Sequence, residues 1–455
     1  MKPVTRLKRS PAMIDAGLPQ ARHASIGALT ALALAVALVY PASAAMAATY
    51  TVDTAGDPGP TGTLSLRRAV QLANNYVGDT VQFDPSLVGS TITLDSGAIA
   101  ISSAMTITGP GADRLTISGK NADRVFNITG DATISGLTLT QGKTSIYGGA
   151  IYANHATLTL CDSVISASTA YRGGGVFVNY GSATINGSRI VGNAATKSGG
   201  GIEAYKAATL AVMHSTISGN NGGCYGGGIN ASETLNVRLS YSLVSNNSMG
   251  QPAPNCSLEG GGIRVKNLFT KPTATISNST IFGNYGYGGG GGVSFVKSSF
   301  VNGSFEITHS TITNNLTSVG SGNGVYVNYA GSVLIANSIV ANNSSRYGDA
   351  DLTGTFNAYA DLIKARGSAV ITGASNVFDQ DPQLGPLRDN GGPTLTMLPS
   401  FDSPVIDTGV AFDSSMATTD QRGQPRGAPA GHPDMGAVER QYPEDFIFRD
   451  GFGSP

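Results

Sequence analysis

Apolar and polar positions recur along this chain as one repeated phrase, written most clearly from Ser215 to Ile229. Aligned on its serine, the phrase returns at Ser163, Ser188, Ser215, Ser242, Ser279, Ser310 and Ser338, with Gly136 in the preceding copy. Three residues before each serine stand Leu160, Ile185, Val212, Leu239, Ile276, Ile307 and Ile335. Five residues after stand Ser168, Asn193, Asn220, Asn247, Asn284, Asn315 and Asn343. A third apolar column follows the glycine runs: Ile151, Val176, Ile202, Ile229, Ile263, Val293 and Val325. The interval is 25 to 28 residues, stretched to 37 and 31 where loops grow. Self-similarity at this period marks stacked repeats, each unable to bury its apolar face alone.

The repeat unit is built of strands. Its apolar segments span four to six residues, are β-branched and are punctuated by Gly and Asn, whereas a helical repeat needs longer amphipathic runs. After each glycine pair the residues alternate, Ile202 and Ala204 on one face against Glu203 and Tyr205 on the other. Short strands with one apolar face per repeat stack as a parallel β-helix, an all-β solenoid. Amides one coil apart can then hydrogen-bond along the axis, and the glycines fall where the chain bends sharply. Near the start, Leu66, Ala69, Val70 and Ala73 share one face of a helix with Ser65 as N-cap, suited to sealing an open solenoid end.

These residues carry a family resemblance. The GGAI at 148–151, the GGGI and GGGV copies and the IxxN phrases resemble the GGAI and FxxN repeats of polymorphic outer membrane proteins, with Ile or Val in place of Phe. That grammar lies within the pectin-lyase-like group and implies a right-handed, single-stranded parallel β-helix. LSLRRAVQLAN at 64–74 resembles the module whose hallmark reads CSLREA, with Leu64 at the Cys and Arg68 at the Glu position. VFDQDPQLGPLRDNGGPTLTMLP, TDQRGQPRG and DMGAVE resemble the C-terminal end of choice-of-anchor Q domain proteins. The expected organisation is a signal peptide at 1–47, an N-terminal cap at 48–79, a β-helix at 80–375 beginning near Thr80, an irregular choice-of-anchor Q-like segment at 376–440, and a tail at 441–455.

Residues 1–47 read as an export signal: Arg6, Lys8, Arg9 and Arg22 precede an apolar run from Ile26 to Tyr40 and small-residue cleavage sites at Ala44 or Ala47. That run is short for a spanning helix, so no membrane span is expected in the mature chain. An exported bacterial protein at the cell surface or outside it, monomeric, is the expectation. Net charge is −1 and charged residues make up 13% of the chain, which argues against a nucleic-acid partner. Of the three cysteines, Cys224 and Cys256 precede glycine runs in adjacent copies and are placed to bridge, pinning the insert from Met249 to Leu258, while Cys161 beside Leu160 is expected as a buried thiol.

The chemistry is sparse. Glycoside hydrolysis needs two carboxylates across one cleft, and calcium-assisted elimination needs an acidic cluster with a base. Between 131 and 345 the only acids are Asp131, Asp162, Glu203, Glu233, Glu259 and Glu306, scattered over different repeat positions. His214 and His309 share a column but stand roughly 14 Å apart at about 4.8 Å per coil, too far for one metal, and are read as solvated or turn-bonded. His155, able to meet Tyr180 on the next coil, is the least poor catalytic pair. Asp379, Asp381 and Asp389 could bind calcium, although turn-capping explains them without it; no cofactor is otherwise expected. The better-supported surface is the outward side of the post-glycine strands, with Tyr152, Phe177, Glu203, Arg264 and Tyr326 in one row and Asn154, Asn179, Tyr205 and Asn328 in the next. Aromatic faces beside amides suit an extracellular glycan or protein ligand. The reading is therefore a surface scaffold for adhesion or glycan binding, with a polyuronide lyase or hydrolase as the alternative.

Overall fold

The computed structural model describes residues 47–250, 256, 258–267, 272–297, 303–319, 322–328, 331–410, 418–427 and 431–441. Residues 1–46 of the expected export signal, 442–455 of the expected tail and much of the 249–258 insert lie outside them. Each coil crosses four walls in turn. In one coil these are Ile151–Asn154, Thr157–Cys161, Val164–Ser166 and Thr169–Arg172, before three glycines return the chain to Val176–Asn179 directly above the start. Among the described residues the four walls hold 10, 13, 12 and 8 strands respectively. Pairing is parallel throughout, apart from one short antiparallel pair at Ser344–Ser345 and Gly348–Asp349.

Alternation within each short strand sets the interior. Leu158 and Leu160 in the second wall, Ile165 in the third, and Val176 and Val178 in the first are fully buried, and the same columns fill every coil. Cys161 falls one residue past Leu160, so the period of two turns it outward; the free thiol is half-buried on the outer face rather than in the core. The sharp return between the fourth and first walls requires glycine: a Cβ on Gly174 would collide with the carbonyl oxygen of Gly200 in the next coil.

Two side-chain ladders run along the interior corners. The Ser188 amide donates to Ser215 Oγ at 3.1 Å, and Ser215 in turn donates to Ser242 Oγ. The backbone N–H and Nδ2 of Asn193 both donate to Asn220 Oδ1, at 2.9 and 3.1 Å, and the pattern repeats through Asn247, Asn284, Asn315 and Asn343. Each asparagine thus satisfies the orphan amide of the coil before it. Both ladders end on a buried carboxyl oxygen, Asp361 beneath Ser338 and Asp351 beneath Asn343.

At the N-terminal end the helix spans Leu66–Ala73, and Ser65 Oγ accepts the Arg68 amide at 3.3 Å. Leu66, Ala69, Val70 and Ala73 are buried against the first strands. The Arg67 guanidinium grips Asp57 at 2.6 and 2.8 Å and the carbonyls of Gly97 and Ala98. The solenoid begins earlier than the expected Thr80: Thr49–Val52 pairs in parallel with Asp79–Phe83, making the helix a crossover between two strands of one wall. Val52, fully buried, already belongs to the core column.

Beyond Phe378 the described residues carry only turns and isolated bridges, and they double back along the outer face of the third wall. Gln421 accepts from Thr280 Oγ1 at 2.6 Å and donates to the Ser242 carbonyl. The Ala437 amide donates to Thr311 Oγ1, and Arg426 donates to Asn278 Oδ1 at 2.9 Å. Val405 and Met435 pack with Ile339, Ala341 and Leu362 as a second apolar cluster. The segment is a strap.

Candidate ligand-binding face

The outer row of the first wall has the register its sequence implies: Tyr152 opposes Phe177, then Glu203, Asn230, Arg264, Ser294 and Tyr326 follow coil by coil. Its exposure does not follow. Phe177 is 1%, Glu203 0% and Arg264 2% exposed, so these three present no free surface. Their cover comes from the residues that precede the glycines on the fourth wall. Tyr147 stacks on Phe177 with ring centroids 4.7 Å apart, and Arg172 reaches Glu203 at 2.5 Å. Glu259 pairs with Arg264 at 3.1 Å, whose guanidinium also lies 4.4 Å over the Tyr225 ring. Asn230 links the two ion pairs, donating to both Glu203 oxygens and accepting from Arg264.

Burial of Glu203 raises its carboxyl above the usual range, against the Arg172 charge and the hydrogen bonds that lower it. Burial likewise raises the phenols of Tyr152 and Tyr326, the latter also through Glu259.

What remains open is an aromatic and cationic rim. Tyr147 is exposed and Tyr152 half-exposed, and together with Phe177 they form a three-ring cluster. Asn179 Nδ2 donates to Asn154 Oδ1 at 2.7 Å, Tyr205 is half-exposed, and Asn328 is exposed farther along. At the corner into the second wall, His155, Tyr180 and Lys206 occupy one column with φ of 55°, 53° and 51°. The His155 and Tyr180 rings stack at 5.0 Å with 9° between their planes, so the anticipated meeting of these two residues occurs. It occurs face to face, with His155 Nδ1 directed to Asn154 Oδ1 at 3.1 Å. The Tyr180 hydroxyl instead receives a hydrogen bond from Lys206 Nζ at 2.9 Å, which raises the lysine and keeps it an ammonium. That geometry supplies a cation at neutral pH rather than a base.

The other candidates disperse. Asp379 pairs with Arg366, Asp381 with Lys364, and Asp389 caps the turn at Gly391. No group of three acids, histidines or cysteines converges among the described residues. His214 is exposed and stacks on Tyr241 at 5.1 Å, whereas His309 is only 5% exposed because the strap covers it. Burial, then the Arg426 charge, lowers His309 to about 3. Cys224 and Cys256 are bonded, with Cα atoms 5.2 Å apart. A groove of about 520 Å³ opens where the strap meets the third wall, lined by Arg189, Val191, Thr216, Leu243, Leu387 and Leu395, and no aromatic ring lines it.

Sequence reasoning passed over Lys206, Arg172 and Arg124. The first was legible in principle, since it follows His155 and Tyr180 in their own corner column. Arg172 closes the fourth-wall strand in register with Tyr147 and Ser198, and only the folded corner shows which outer residue its side chain covers.

Four walls of parallel strands with stacked polar ladders define the class: this is a right-handed parallel β-helix. A family model described as a right-handed β-helix region matches residues 125–304. Among solved structures, pectate lyase Pel9A superposes with a TM-score of 0.51 at 16% identity, over 87% of this chain and 96% of that one. The PL6 family alginate lyase AlyGC superposes with a TM-score of 0.35 at 14% identity, over 84% of this chain and 60% of that one. No curated protein matches the sequence. At 16% identity the likeness to Pel9A is one of fold.

Proposed function

We propose that the protein is an exported β-helix scaffold that binds glycan along the outer face of its first wall, without cleaving it. The observation that carries this reading is the Tyr147, Tyr152 and Phe177 cluster, continued by Tyr180 and Tyr205 on the next coils. Open rings flanked by the Asn154–Asn179 amide pair offer both parts of carbohydrate recognition: an apolar face for a sugar ring and donors for its hydroxyls. The acids of this face, Glu203 and Glu259, are tied to Arg172 and Arg264, so neither is poised as a proton donor or nucleophile.

The test is a panel of immobilised neutral and acidic polysaccharides, with retention of the purified protein followed alongside unsaturated or reducing-end products. Retention without products, weakened about tenfold or more by Tyr152→Ala or Tyr147→Ala, is the expected result. Product formation abolished by Tyr180→Phe or Lys206→Gln would overturn the non-catalytic reading in favour of a lyase.

A further inference from the structure

We infer that the upstream half of the second wall is an ice-binding face, its ligand the ordered water at the surface of an ice crystal. The inference is independent of the glycan-binding reading, which concerns the first wall.

The outward positions of the second wall form rows along the axis. Six threonines stand in succession in the central row, Thr49, Thr80, Thr106, Thr133, Thr159 and Thr184, one per strand. The strands pair residue for residue, so the row has no bulge or step. The adjacent row, two residues on, runs from Thr51 through Thr108 to Asn186 and is uncharged as well. The repeat does not require this. Strand propensity and outward polarity favour threonine over the whole wall, yet the next six central positions are Ala211, Arg238, Thr275, Glu306, Leu334 and Asn357, with one threonine among them.

The hydroxyls of the upstream row are also left for solvent. Thr80, Thr106, Thr133, Thr159 and Thr184 are half-buried, and their side chains have no hydrogen-bond partner among the described residues. On the third wall, by contrast, Thr138 Oγ1 donates to the Ala112 carbonyl and Thr280 Oγ1 to Gln421. Charges border the upstream rows at the corners: Asp131 ahead of them, its Oδ1 accepting the Thr157 amide, and Asp53, Asp84 and Asp162 beyond them. An open trough of about 310 Å³ lies along the row, bordered by Gly78, Ala104, Thr106, Asp131, Thr133 and Thr159, with room for on the order of ten waters.

β-Branching leaves threonine few side-chain conformers, so the backbone period fixes where each methyl and hydroxyl stands. Successive threonines are about 4.8 Å apart along the axis, and the two rows are about 6.6 Å apart across it. Both repeats lie within roughly one ångström of the spacings between water oxygens on the faces of hexagonal ice. A single glycan chain repeats in one direction, whereas a crystal face repeats in two. On such an array the hydroxyls hydrogen-bond ordered water while the methyls fill the spaces between, and many weak contacts act together because the scaffold holds them in place.

The experiment grows single ice crystals in a solution of the full chain and reads the gap between melting and freezing temperatures, the crystal shape, and the protein recovered from slowly grown ice. Expected are faceted crystals, a measurable gap and enrichment of the protein in the ice. Thr133→Lys and Thr159→Lys, at the middle of the row, should each lose most of the gap and of the enrichment. Thr275→Lys, equally half-buried in the same row on the mixed half, should keep both. All three positions face outward, and an unchanged urea midpoint separates loss of ice binding from loss of fold. Unfaceted crystals, with no gap and no enrichment for the unsubstituted protein, would overturn the inference. So would an equal loss in Thr275→Lys, which would trace the effect to the protein at large and not to the threonine rows.

Discussion

The third wall has two halves that share a backbone and differ in what lies over them. On the upstream half the outward residues Val164, Arg189 and Thr216 are half-buried or exposed. In register with them, Leu243, Thr280, Thr311 and Ile339 on the downstream half are almost completely covered by the strap. The covered polar positions are each matched, Thr280 Oγ1 donating to Gln421 and Thr311 Oγ1 accepting from Ala437. A solenoid's inward faces are fixed by the repeat, because every coil must fill the same core. Its outward faces are assigned one by one, by whatever segment returns to them.

The two regions are also held by different chemistry, which gives the largest expected effect. The interior corners of the coils are laced by ladders of neutral amides and hydroxyls, whereas the strap is organised around buried charges. Arg426 points inward from the strap with its guanidinium on Asn278 Oδ1 and the Gly436 carbonyl, 3.5 Å from Glu439. Arg426→Met strands a buried carboxylate and should weaken strap docking by about 3–5 kcal/mol. Limited proteolysis should then cut between 380 and 441 while the coils stay protected; coils that unfold together with the strap would show that the two regions are one cooperative unit. Asn247→Leu breaks the coil side of the comparison. It removes the acceptor for the Asn220 N–H groups and the donors to Ile217 and Asn284, leaving buried groups unpaired. The expected loss is about 2–4 kcal/mol in the main urea transition, with the strap still docked.

Beneath and within the strap, two titrating groups oppose each other. His309 is lowered to about 3, so below its ordinary 6.5 the unfolded chain takes up a proton that the native one refuses, and stability is lost as pH falls. Asp434 is raised to about 7 by burial and by Glu439, so the native state takes up its proton well above the usual 3.8, and stability is gained as pH falls from 7. At pH 5 each amounts to roughly 2–3 kcal/mol, with opposite sign. These two contributions therefore nearly cancel between pH 7 and 5, beside the gain on acidification from Glu203 and Asp361, whose carboxyls burial also raises. Relative to wild type, His309→Asn, a residue already used at the equivalent corners by Asn278 and Asn337, should gain stability on acidification, and Asp434→Asn should lose it. Parallel pH profiles for all three proteins would rule out this pairing.

The same asymmetry explains what was legible beforehand. The serine, asparagine and post-glycine columns, the Ser65 cap and the Cys224–Cys256 bridge follow from spacing, because spacing decides which residues stack. The burial of Phe177, Glu203 and Arg264 did not follow, because Tyr147, Arg172 and Glu259 reach them from the fourth-wall column before the glycines, and spacing does not show which way those side chains lean. The burial of His309 was hidden for the same reason. Residues more than a hundred positions downstream, grouped in TDQRG and DMGAVE, read in isolation as motifs and turn out to hold the strap together: Asp420 with Arg422, and Glu439 accepting from Gly427 and Asp434 amides.

The smallest effect is expected on the bare half, and it decides whether that half is bare. Val164 stands in register between Thr138 and Arg189, half-exposed, and the strap's hydrogen bonds reach the wall only from Ser242 onward. If water is its outer neighbour, Val164→Gln replaces one solvated side chain by another and should change the urea midpoint by less than about 0.5 kcal/mol. The matching change on the covered half, Thr311→Gln, pushes a longer side chain against Ala437 and Gly436 and should cost about 1–3 kcal/mol. A loss at Val164 as large as the one at Thr311 would mean that the upstream half is packed as well, and the contrast between the halves would then lie in the partner and not in the cover.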